Sequence, residues 1–401
     1  MTNSLAGTLI TPFETIPHGA VHWDPAGTIT RVETAVPDPD RPQRLICPGF
    51  INLHVHGGAG ADTLDATAGA LAALARDQAH QGVTAFLPTA ASASHEDLLA
   101  VCRAVREFRA LQDRETAGAG AGAGAGARAL GLHLEGPYFA AEKAGAQNPA
   151  HFRDPDRKAF EELQREAGGA IRLVSLAPER DPNGGFVKYL RSAGVRAAAG
   201  HTNASYAVMQ AAIERGLSHA THIFNAMPGF DHRAPTGLSA LLEDGRVSLE
   251  LIPDCTDLPH VHPVVIRLLK RMAGVERICS VTDAVAAAGR PDGVYRLGEL
   301  EVRKAGEVVI LERPWAERGE RRLAGSALAM NGAVRNLVER CGFTMEEAVR
   351  TVTDNPARAI GVDPVRGSLA PGKRADLAVL DPVTFEVLET YVGGARVFSN
   401  G

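Results

Sequence analysis

The sequence predicts an α/β protein: a (β/α)8 TIM-type barrel accompanied by a small β-sandwich built from both chain termini. Eight short apolar runs, each bounded by turn residues, recur between residues 46 and 284. Amphipathic segments lie between several of these runs, and strands that alternate with helices pair in parallel through right-handed crossovers. A doubly wound open sheet is the alternative, and it would spread polar strand ends along a crevice instead of gathering them in a ring.

The eight apolar runs predict the barrel strands. In chain order they are Ile46–His56, Gly82–Thr89, Ala129–Gly136, Ile171–Pro178, Val195–His201, His219–Asn225, Val247–Asp254 and Ile278–Ala284. The helical period is clearest in three of the intervening segments, Ala66–His80, Tyr206–Arg215 and His262–Met272. Eight such units match the repeat of a closed barrel, which we expect within residues 48–357.

The two ends of the chain have a different pattern. Gly7–Glu33 and Gly367–Phe398 alternate apolar and polar residues around turn signals, which predicts antiparallel strands. Neither end has enough residues to fold alone, so residues 1–47 and 358–401 are expected to pair into one β-sandwich beside the barrel. Gly293–Leu311 also alternates and predicts an inserted hairpin.

One segment, Ala117–Ala127, alternates Ala and Gly strictly. It has no side chains that bury surface, and Gly raises the entropic cost of ordering it. We therefore predict a flexible surface loop before the third barrel strand. A phosphate-binding loop is the alternative, and it is disfavoured because no strand precedes the run and no helix follows it.

The composition is that of a globular protein with a substantial core, because 45% of the 401 residues are apolar and 22% are charged. A net charge of −5 gives no sign of nucleic-acid binding. The five cysteines form no C-x-x-C pair, which favours free thiols in a reducing compartment. No export signal and no run of about 20 apolar residues is visible, so we expect a cytoplasmic protein with no membrane partner.

Two histidines, His54 and His56, stand at the end of the first apolar run. Residues i and i+2 of a strand point to the same face, so both imidazoles converge on one point. Neutral imidazole is a common ligand of Zn²⁺ and Fe²⁺. Chance often places two histidines at this spacing. The position of this pair favours a functional interpretation. The glycine-rich segment Gly57–Gly60 follows it, and the active sites of α/β barrels lie where strands end and loops begin.

Further polar residues end other predicted strands, namely Glu135, His201, His222 and Asp283. Singly, each has a structural interpretation, since a strand-end Asp often caps the next helix and a strand-end His is more often hydrogen-bonded than ligating. Together with the histidine pair they would surround one pocket, and burying so many polar groups without a cation is costly. The nitrogen and oxygen ligands suit Zn²⁺ or Fe(II), as one ion or as two ions bridged by Glu135.

These residues lie in segments with a recognisable pattern: Pro48–Gly58, Leu132–Tyr138, Gly200–Thr202, Thr221–Met227, Val281–Ala284, Asn355–Gly361 and Gly372–Leu377. The pattern resembles the amidohydrolase superfamily and, within it, the N-acetylglucosamine-6-phosphate deacetylase family. The Leu-Glu-Gly-Pro and Asn-Ala-Met segments are the discriminating ones. Many amidohydrolases carry a carboxylated Lys on strand four, and Ile171–Pro178 has no Lys, in agreement with the deacetylase use of a strand-three Glu.

The resemblance implies metal-dependent hydrolysis of the N-acetyl group of N-acetylglucosamine 6-phosphate, giving glucosamine 6-phosphate and acetate, with Asp283 as general base and then general acid. It also implies a homodimer, in which Arg233 and His260 contact the phosphate, often in the neighbouring subunit's site. The substrate-binding positions that match are Ala146, Gln147, Asn225, Ala226, Arg233, His260, Leu323, Ala324 and Gly325. Gln147 is a departure, because some relatives have His there. The strand-seven loop before His260 is also longer than the compact form that the resemblance leads us to expect.

Several alternatives remain open at this point. The substrate could be N-acetylglucosamine 6-phosphate or another N-acetyl amino-sugar phosphate such as N-acetylgalactosamine 6-phosphate. An acylamino acid hydrolase is a third possibility, although Arg233 favours a phosphorylated substrate. A catalytically silent assembly protein would have lost metal ligands, and none of the six is lost here.

Overall fold

The computed structural model describes residues 3–35, 43–118, 126–312 and 321–400, without the side chains of residues 115–118. Within those ranges the strands are β1 (Asn3–Ile10), β2 (Thr15–Trp23), β3 (Ile29–Thr34), β4 (Leu45–Pro48), β5 (Phe50–Val55), β6 (Gly57–Gly58), β7 (Ala61–Asp62), β8 (Val83–Ala90), β9 (Arg128–Ala129), β10 (Leu132–Tyr138), β11 (Ile171–Leu176), β12 (Arg196–Ala199), β13 (Leu217–Ala220), β14 (Ser248–Leu251), β15 (Ile278–Ser280), β16 (Gly293–Leu297), β17 (Leu300–Ala305), β18 (Val308–Leu311), β19 (Leu377–Leu380), β20 (Val387–Val392) and β21 (Ala395–Ser399).

The α-helices lie mainly between the barrel strands and after the last of them. They are α1 (Ala68–His80), α2 (His95–Gly118), α3 (Arg157–Glu166), α4 (Gly185–Ser192), α5 (Tyr206–Arg215), α6 (Gly237–Glu243), α7 (Pro263–Ala273), α8 (Met330–Cys341), α9 (Met345–Val352) and α10 (Asp354–Ala359). None of the helices in the described ranges combines the length and apolar character that crossing a membrane requires.

Eight parallel strands form the barrel, as predicted. They pair in the order β5-β8-β10-β11-β12-β13-β14-β15, which is also their order along the chain. The ring is completed beyond the ends of β5 and β15, where Val55 and Ala284 form a parallel bridge and the Asp283 amide donates to the His54 carbonyl over 2.9 Å. The doubly wound alternative is wrong, because an open sheet reverses its strand order at a switch point and this one does not.

The barrel strands are buried on both faces, which explains their continuous apolar runs. Every residue of β8 and of β10 is buried. Helices cover the outside of a parallel sheet, so its strands lose the polar alternation that marks a half-exposed strand. The same packing places the carboxyl ends of all eight strands at one mouth of the barrel.

Strands from both chain ends pair into one β unit, as predicted. Hydrogen bonds connect them as a single seven-stranded sheet in the order β21-β20-β19-β4-β1-β2-β3. Leu9, Trp23, Ile29 and Leu377 belong to the separate apolar cluster of this unit. We propose to divide the chain at 47/48 and 357/358. The first boundary falls at the end of β4, just before β5, and the second falls within α10, the last helix before the chain returns to the sheet.

The inserted segment after the eighth strand has three strands, one more than the predicted hairpin, within the same residues, 293–311. It forms a three-stranded antiparallel sheet of β16, β17 and β18, and its Leu297 and Val302 pack with Val285 and Ala324. Of the alternating Ala/Gly run, residues 119–125 lie outside the described residues, and the run begins within α2 rather than in a loop.

Candidate metal centre

The six polar residues predicted to surround a metal meet at the carboxyl-terminal mouth of the barrel. His54 lies on β5 and His56 follows it, Glu135 lies on β10, and His201, His222 and Asp283 come two or three residues after β12, β13 and β15. All six side chains are buried. Parallel strands bring their carboxyl ends together, so residues far apart in sequence share one mouth.

The backbone at three of these residues has an unusual conformation. The φ angles are 46° at His201, 29° at His222 and 51° at Asp283, in or near the left-handed region that non-glycine residues rarely adopt. Such conformations cost free energy and cluster at functional sites. Here they turn the chain out of the strand direction, and the side chains face the axis of the barrel.

Three groups of side chains among the described residues are close enough to share an ion, and the first two below consist of predicted ligands. In the first, the Asp283 Oδ1 atom lies 3.3 Å from both the His54 Nε2 and the His56 Nε2 atoms. In the second, the Glu135 Oε1 atom lies 2.9 Å from His222 Nε2 and 3.2 Å from His201 Nε2. The ligand atoms within each group lie within 4.8 Å of one another, which is close enough to share an ion.

The Glu135 carboxylate joins the two groups. Its Oε1 atom is closest to His201 and His222 and lies 3.7 Å from His54 Nε2, whereas its Oε2 atom lies 3.2 Å from His56 Nε2. A carboxylate that directs its two oxygens to two sets of histidines can bridge two cations. The same arrangement also suits a single cation on either side.

The hydrogen bonds behind the histidines show that they present lone pairs to this space. His56 Nδ1 lies 3.1 Å from the Thr89 carbonyl oxygen, and His201 Nδ1 lies 2.9 Å from the Lys143 carbonyl oxygen. A carbonyl only accepts, so each Nδ1 carries a proton and each ring directs its Nε2 atom inward, where it can offer a lone pair to a metal. His54 Nδ1 faces a buried carboxylate in the same way. Lone pairs that converge on carboxylate oxygens repel one another unless a cation lies among them, so the donor set fits a divalent metal.

The electrostatics of the site also favour a cation. Burial would raise the pKa of Glu135, but the nearby His54 and the hydrogen bonds from His201 and His222 hold it well below its usual value. Burial would lower the pKa of His222, but the hydrogen bond and charge of Glu135 raise it to about 9. The carboxylates thus attract positive charge strongly, and a bound metal would take the place of protons held by the histidines.

A second layer of buried polar residues supports the histidines. The Glu250 carboxylate on β14 accepts from His54 Nδ1 over 2.9 Å, from His219 Nε2 over 3.0 Å and from the His222 backbone amide over 3.2 Å. Burial would raise the pKa of Glu250, but attraction to His54 and the hydrogen bonds from His219 and His54 hold it well below its usual value. Glu250 therefore fixes the orientation of one potential ligand and the backbone of another.

His133 is buried and is not one of the six predicted ligands, but with His54 and Glu250 it forms the third group of side chains whose ligand atoms lie within 4.8 Å of one another. Its Nε2 atom lies 2.7 Å from the Ser175 hydroxyl. Burial lowers its pKa to about 3, so the ring stays neutral. These contacts favour a structural role for His133.

A cavity of about 560 Å³ opens above the potential ligands. Most of the predicted substrate positions line it, namely Ala146, Gln147, Asn225, Ala226, His260, Leu323 and Gly325. Ala324 is buried behind this wall, and Arg233 lies on an exposed loop and is not among the described residues that line the cavity. His260 reaches the cavity despite its longer loop, because Asp254 Oδ2 holds its Nδ1 atom at 2.7 Å.

The comparisons with known proteins agree with this architecture. A family model described as "Amidohydrolase family" matches residues 45–398. This chain belongs to the amidohydrolase family. Its sequence is 39% identical over 342 residues to the N-acetylgalactosamine-6-phosphate deacetylase of Escherichia coli O157:H7, covering 85% of each chain. It is 34% identical over 355 residues to the N-acetylglucosamine-6-phosphate deacetylase of Bacillus subtilis strain 168, covering 88% of this chain and 85% of the relative.

Solved structures of the amidohydrolase family superpose on nearly the whole chain. A variant of the N-acetyl-D-glucosamine-6-phosphate deacetylase of Mycobacterium smegmatis, in complex with N-acetyl-D-glucosamine-6-phosphate, matches with a TM-score of 0.87 at 33% identity, covering 99% of this chain and 100% of that one. The deacetylase of Thermotoga maritima matches with a TM-score of 0.86 at 29% identity over the full length of both chains. The chain is accordingly a hydrolase of a metal-dependent family.

Sequence reasoning missed several residues of this amidohydrolase site. Glu250 and His219 were inside predicted strands and were not singled out, although a charged residue within an apolar run is itself a signal. Lys143, Arg322 and Leu297 also line the cavity. Leu297 comes from the inserted sheet, and no local motif indicates that this segment folds back over the barrel mouth.

Proposed function

We propose that this protein hydrolyses the N-acetyl group of N-acetylglucosamine 6-phosphate, giving glucosamine 6-phosphate and acetate in amino-sugar recycling. The observation that carries the proposal is the pair of histidine–carboxylate groups joined by Glu135 at the floor of the cavity. The relatives named for this reaction match this chain over most of its length. A catalytically silent assembly role is disfavoured, because all six converging side chains are present.

We propose Zn²⁺ or Fe(II) as the metal, as one ion or as two. His54, His56 and Asp283 would hold one position, His201 and His222 the other, and Glu135 would bridge them. A divalent cation at this point would lower the pKa of a water molecule and polarise the acetyl carbonyl. Both metals suit imidazole and carboxylate ligands, and no thiolate lies among the described residues of the cluster.

Asp283 carries the proton transfers in this proposal. Its carboxylate takes a proton from the attacking water as the new C–O bond forms at the acetyl carbon. It then gives that proton to the amine nitrogen as the C–N bond breaks, so that the amino sugar and acetate leave. The position of Oδ1, equally close to His54 and His56, supports this role.

The substrate phosphate would be held at the far side of the cavity. Asn225, Ala226 and His260 line that region, and Asp254 fixes the ring of His260. Arg233 suits phosphate through bidentate hydrogen bonds, but it lies on an exposed loop of its own chain. We propose that it contacts the phosphate in a partner subunit's cavity.

A homodimer is therefore part of the proposal, and the surface of α7 supports it. Val264, Leu268 and Met272 follow one another at intervals of four residues and are 45%, 46% and 56% exposed. Residues at this spacing share one helix face, so they form an apolar stripe. A second copy of the chain would cover this stripe.

A second candidate substrate is N-acetylgalactosamine 6-phosphate. The relative from Escherichia coli O157:H7 with that name is 39% identical to this chain, against 34% for the glucosamine-type relative from Bacillus subtilis. The two sugars differ in stereochemistry at one hydroxyl. An exchange of a single hydrogen bond at that hydroxyl could decide between them.

The test is a deacetylation assay on purified protein after chelation of metal and add-back of Zn²⁺ or Fe(II). Both sugar phosphates and their unphosphorylated forms serve as substrates, and acetate release is the readout. We expect turnover to disappear on chelation, to return with metal and to require the phosphate. If the galactosamine compound has the higher kcat/KM, the second candidate is correct. If no N-acetyl sugar is hydrolysed with either metal, the proposed function is wrong.

A further inference from the structure

Gln147 is engaged within the protein at both ends of its amide. Its Oε1 atom accepts a hydrogen bond of 2.8 Å from the Ser92 backbone amide. Its Nε2 atom donates to the Oε2 atom of Glu135. The side chain is buried, with 7% of its surface exposed. Each end of the amide therefore has a protein partner before any substrate enters the cavity.

The contact with Ser92 fixes which way the amide faces. A backbone N–H can only donate, so the partner atom on Gln147 must be the oxygen, and the NH₂ group must face Glu135. Glu135 in turn receives histidine contacts on Oε1 and shares Oε2 between Gln147 and His56. The amide thus prevents the carboxylate from rotating both oxygens toward His201 and His222.

We infer that Gln147 is a positioning residue of the metal centre, which holds Glu135 so that one carboxylate oxygen faces each histidine group. This differs from the substrate contact that its position in the family implies. A second-layer partner of a metal ligand usually contributes about 10- to 100-fold to metal affinity. The inference rests on the metal centre of the proposed function but requires no particular substrate.

The test is a titration of metal-free protein with Zn²⁺, in which calorimetry measures the zinc affinity. Gln147→Leu removes both polar ends of the side chain and puts an apolar side chain of similar size in the cavity wall. We expect zinc affinity to fall by about 10- to 100-fold. Gln147→Met, an unbranched apolar substitution, replaces the leucine variant if the latter does not fold, as judged by circular dichroism and thermal melting.

Gln112→Leu is the matched control. Gln112 is also buried and uses both ends of its amide, because its Nε2 atom donates to the Ala127 carbonyl over 2.9 Å and its Oε1 atom accepts from the Ala129 amide over 3.1 Å. It lies on α2, outside the barrel mouth. We expect its variant to lose thermal stability and to keep wild-type zinc affinity.

Zinc affinity and KM together separate positioning from substrate contact. A Gln147 variant with wild-type zinc affinity, whatever its KM, would overturn the inference, and a raised KM in that variant would assign Gln147 to substrate binding instead. Equal losses of zinc affinity in the Gln147 and Gln112 variants would overturn it as well, since the effect would then be general destabilisation. The titration contains no sugar, so a failure of the deacetylase assay would not decide its outcome.

Discussion

Glu250→Gln is the sharpest perturbation that the structure offers, because it changes one buried atom and leaves every proposed metal ligand in place. Glu250 is fully buried and accepts from two imidazole rings and one backbone amide. The substitution removes the negative charge behind His54. It also replaces one acceptor oxygen with an NH₂ group that has nothing to donate to unless a ring changes tautomer.

The size of the effect follows from these three contacts. A hydrogen bond to a charged group contributes about 1.5–3 kcal/mol, and a neutral one about 0.5–1.5 kcal/mol. Glutamine can keep its oxygen toward His54 and the His222 amide at the neutral value, while His219 can accept from the NH₂ group after a tautomer change. Each of the three contacts then loses about 1–1.5 kcal/mol, so the summed loss is about 3–4.5 kcal/mol of folding stability. Because His54 also loses the carboxylate that makes its ring more basic, we expect zinc affinity to fall by about 10- to 100-fold.

The measurements are thermal melting of the metal-free protein and zinc titration of the same sample. Glu243→Gln is the control, because Glu243 is an exposed carboxylate whose Oε2 atom accepts from the Tyr206 hydroxyl. Surface substitutions of this kind usually change stability by about 0.5 kcal/mol or less. Wild-type melting and wild-type zinc affinity in Glu250→Gln would refute the argument that this carboxylate supports the ligands.

Three further predictions concern proton transfer, assembly and the stability of the terminal β unit. Asp283→Asn should fold and bind metal but lose about 100- to 10,000-fold in kcat, and near-normal turnover would exclude it as the general base. Leu268→Glu should yield monomers in light scattering, whereas Val383→Glu, at a residue 78% exposed on the terminal unit, should not; a dimeric Leu268 variant would place the interface elsewhere. Asp376→Ala leaves the buried Arg366 guanidinium without its carboxylate and should cost about 3–5 kcal/mol in a thermal melt, with zinc affinity unchanged; an unaltered melting temperature would contradict this.

Much of the fold was predictable because the barrel repeats one simple unit. Helix α5 has the bounds predicted for it, since Ser205 caps its start and Gly216, with a φ of 122°, ends it. The sixth strand was predicted as His219–Asn225 but is Leu217–Ala220. The apolar residues that follow Ala220 look like a continued strand, yet they form a turn with positive φ angles that presents His222. Hydrophobic pattern alone does not distinguish such a turn from a strand.

The candidate site was predictable only where its residues end strands. His54 and His56 stand out by their spacing, and Glu135 by its place after an apolar run. Glu250 lies within a strand and supports potential ligands from two other parts of the chain, so its role depends on which strands become neighbours. That information is tertiary, and a local window of sequence does not contain it.

The seam of the barrel coincides with the candidate metal centre. His54 and His56 belong to the first strand and its exit, and Asp283 follows the eighth, while backbone bonds between Asp283 and His54 and between His56 and Ala284 join the two edges. An ion shared by these three side chains would cross-link the first and the last strand and so stabilise the closure of the barrel. Demetallated protein should therefore loosen first along this line, and amide hydrogens of β5 and β15 should exchange faster there than those of β11 and β12 on the opposite wall.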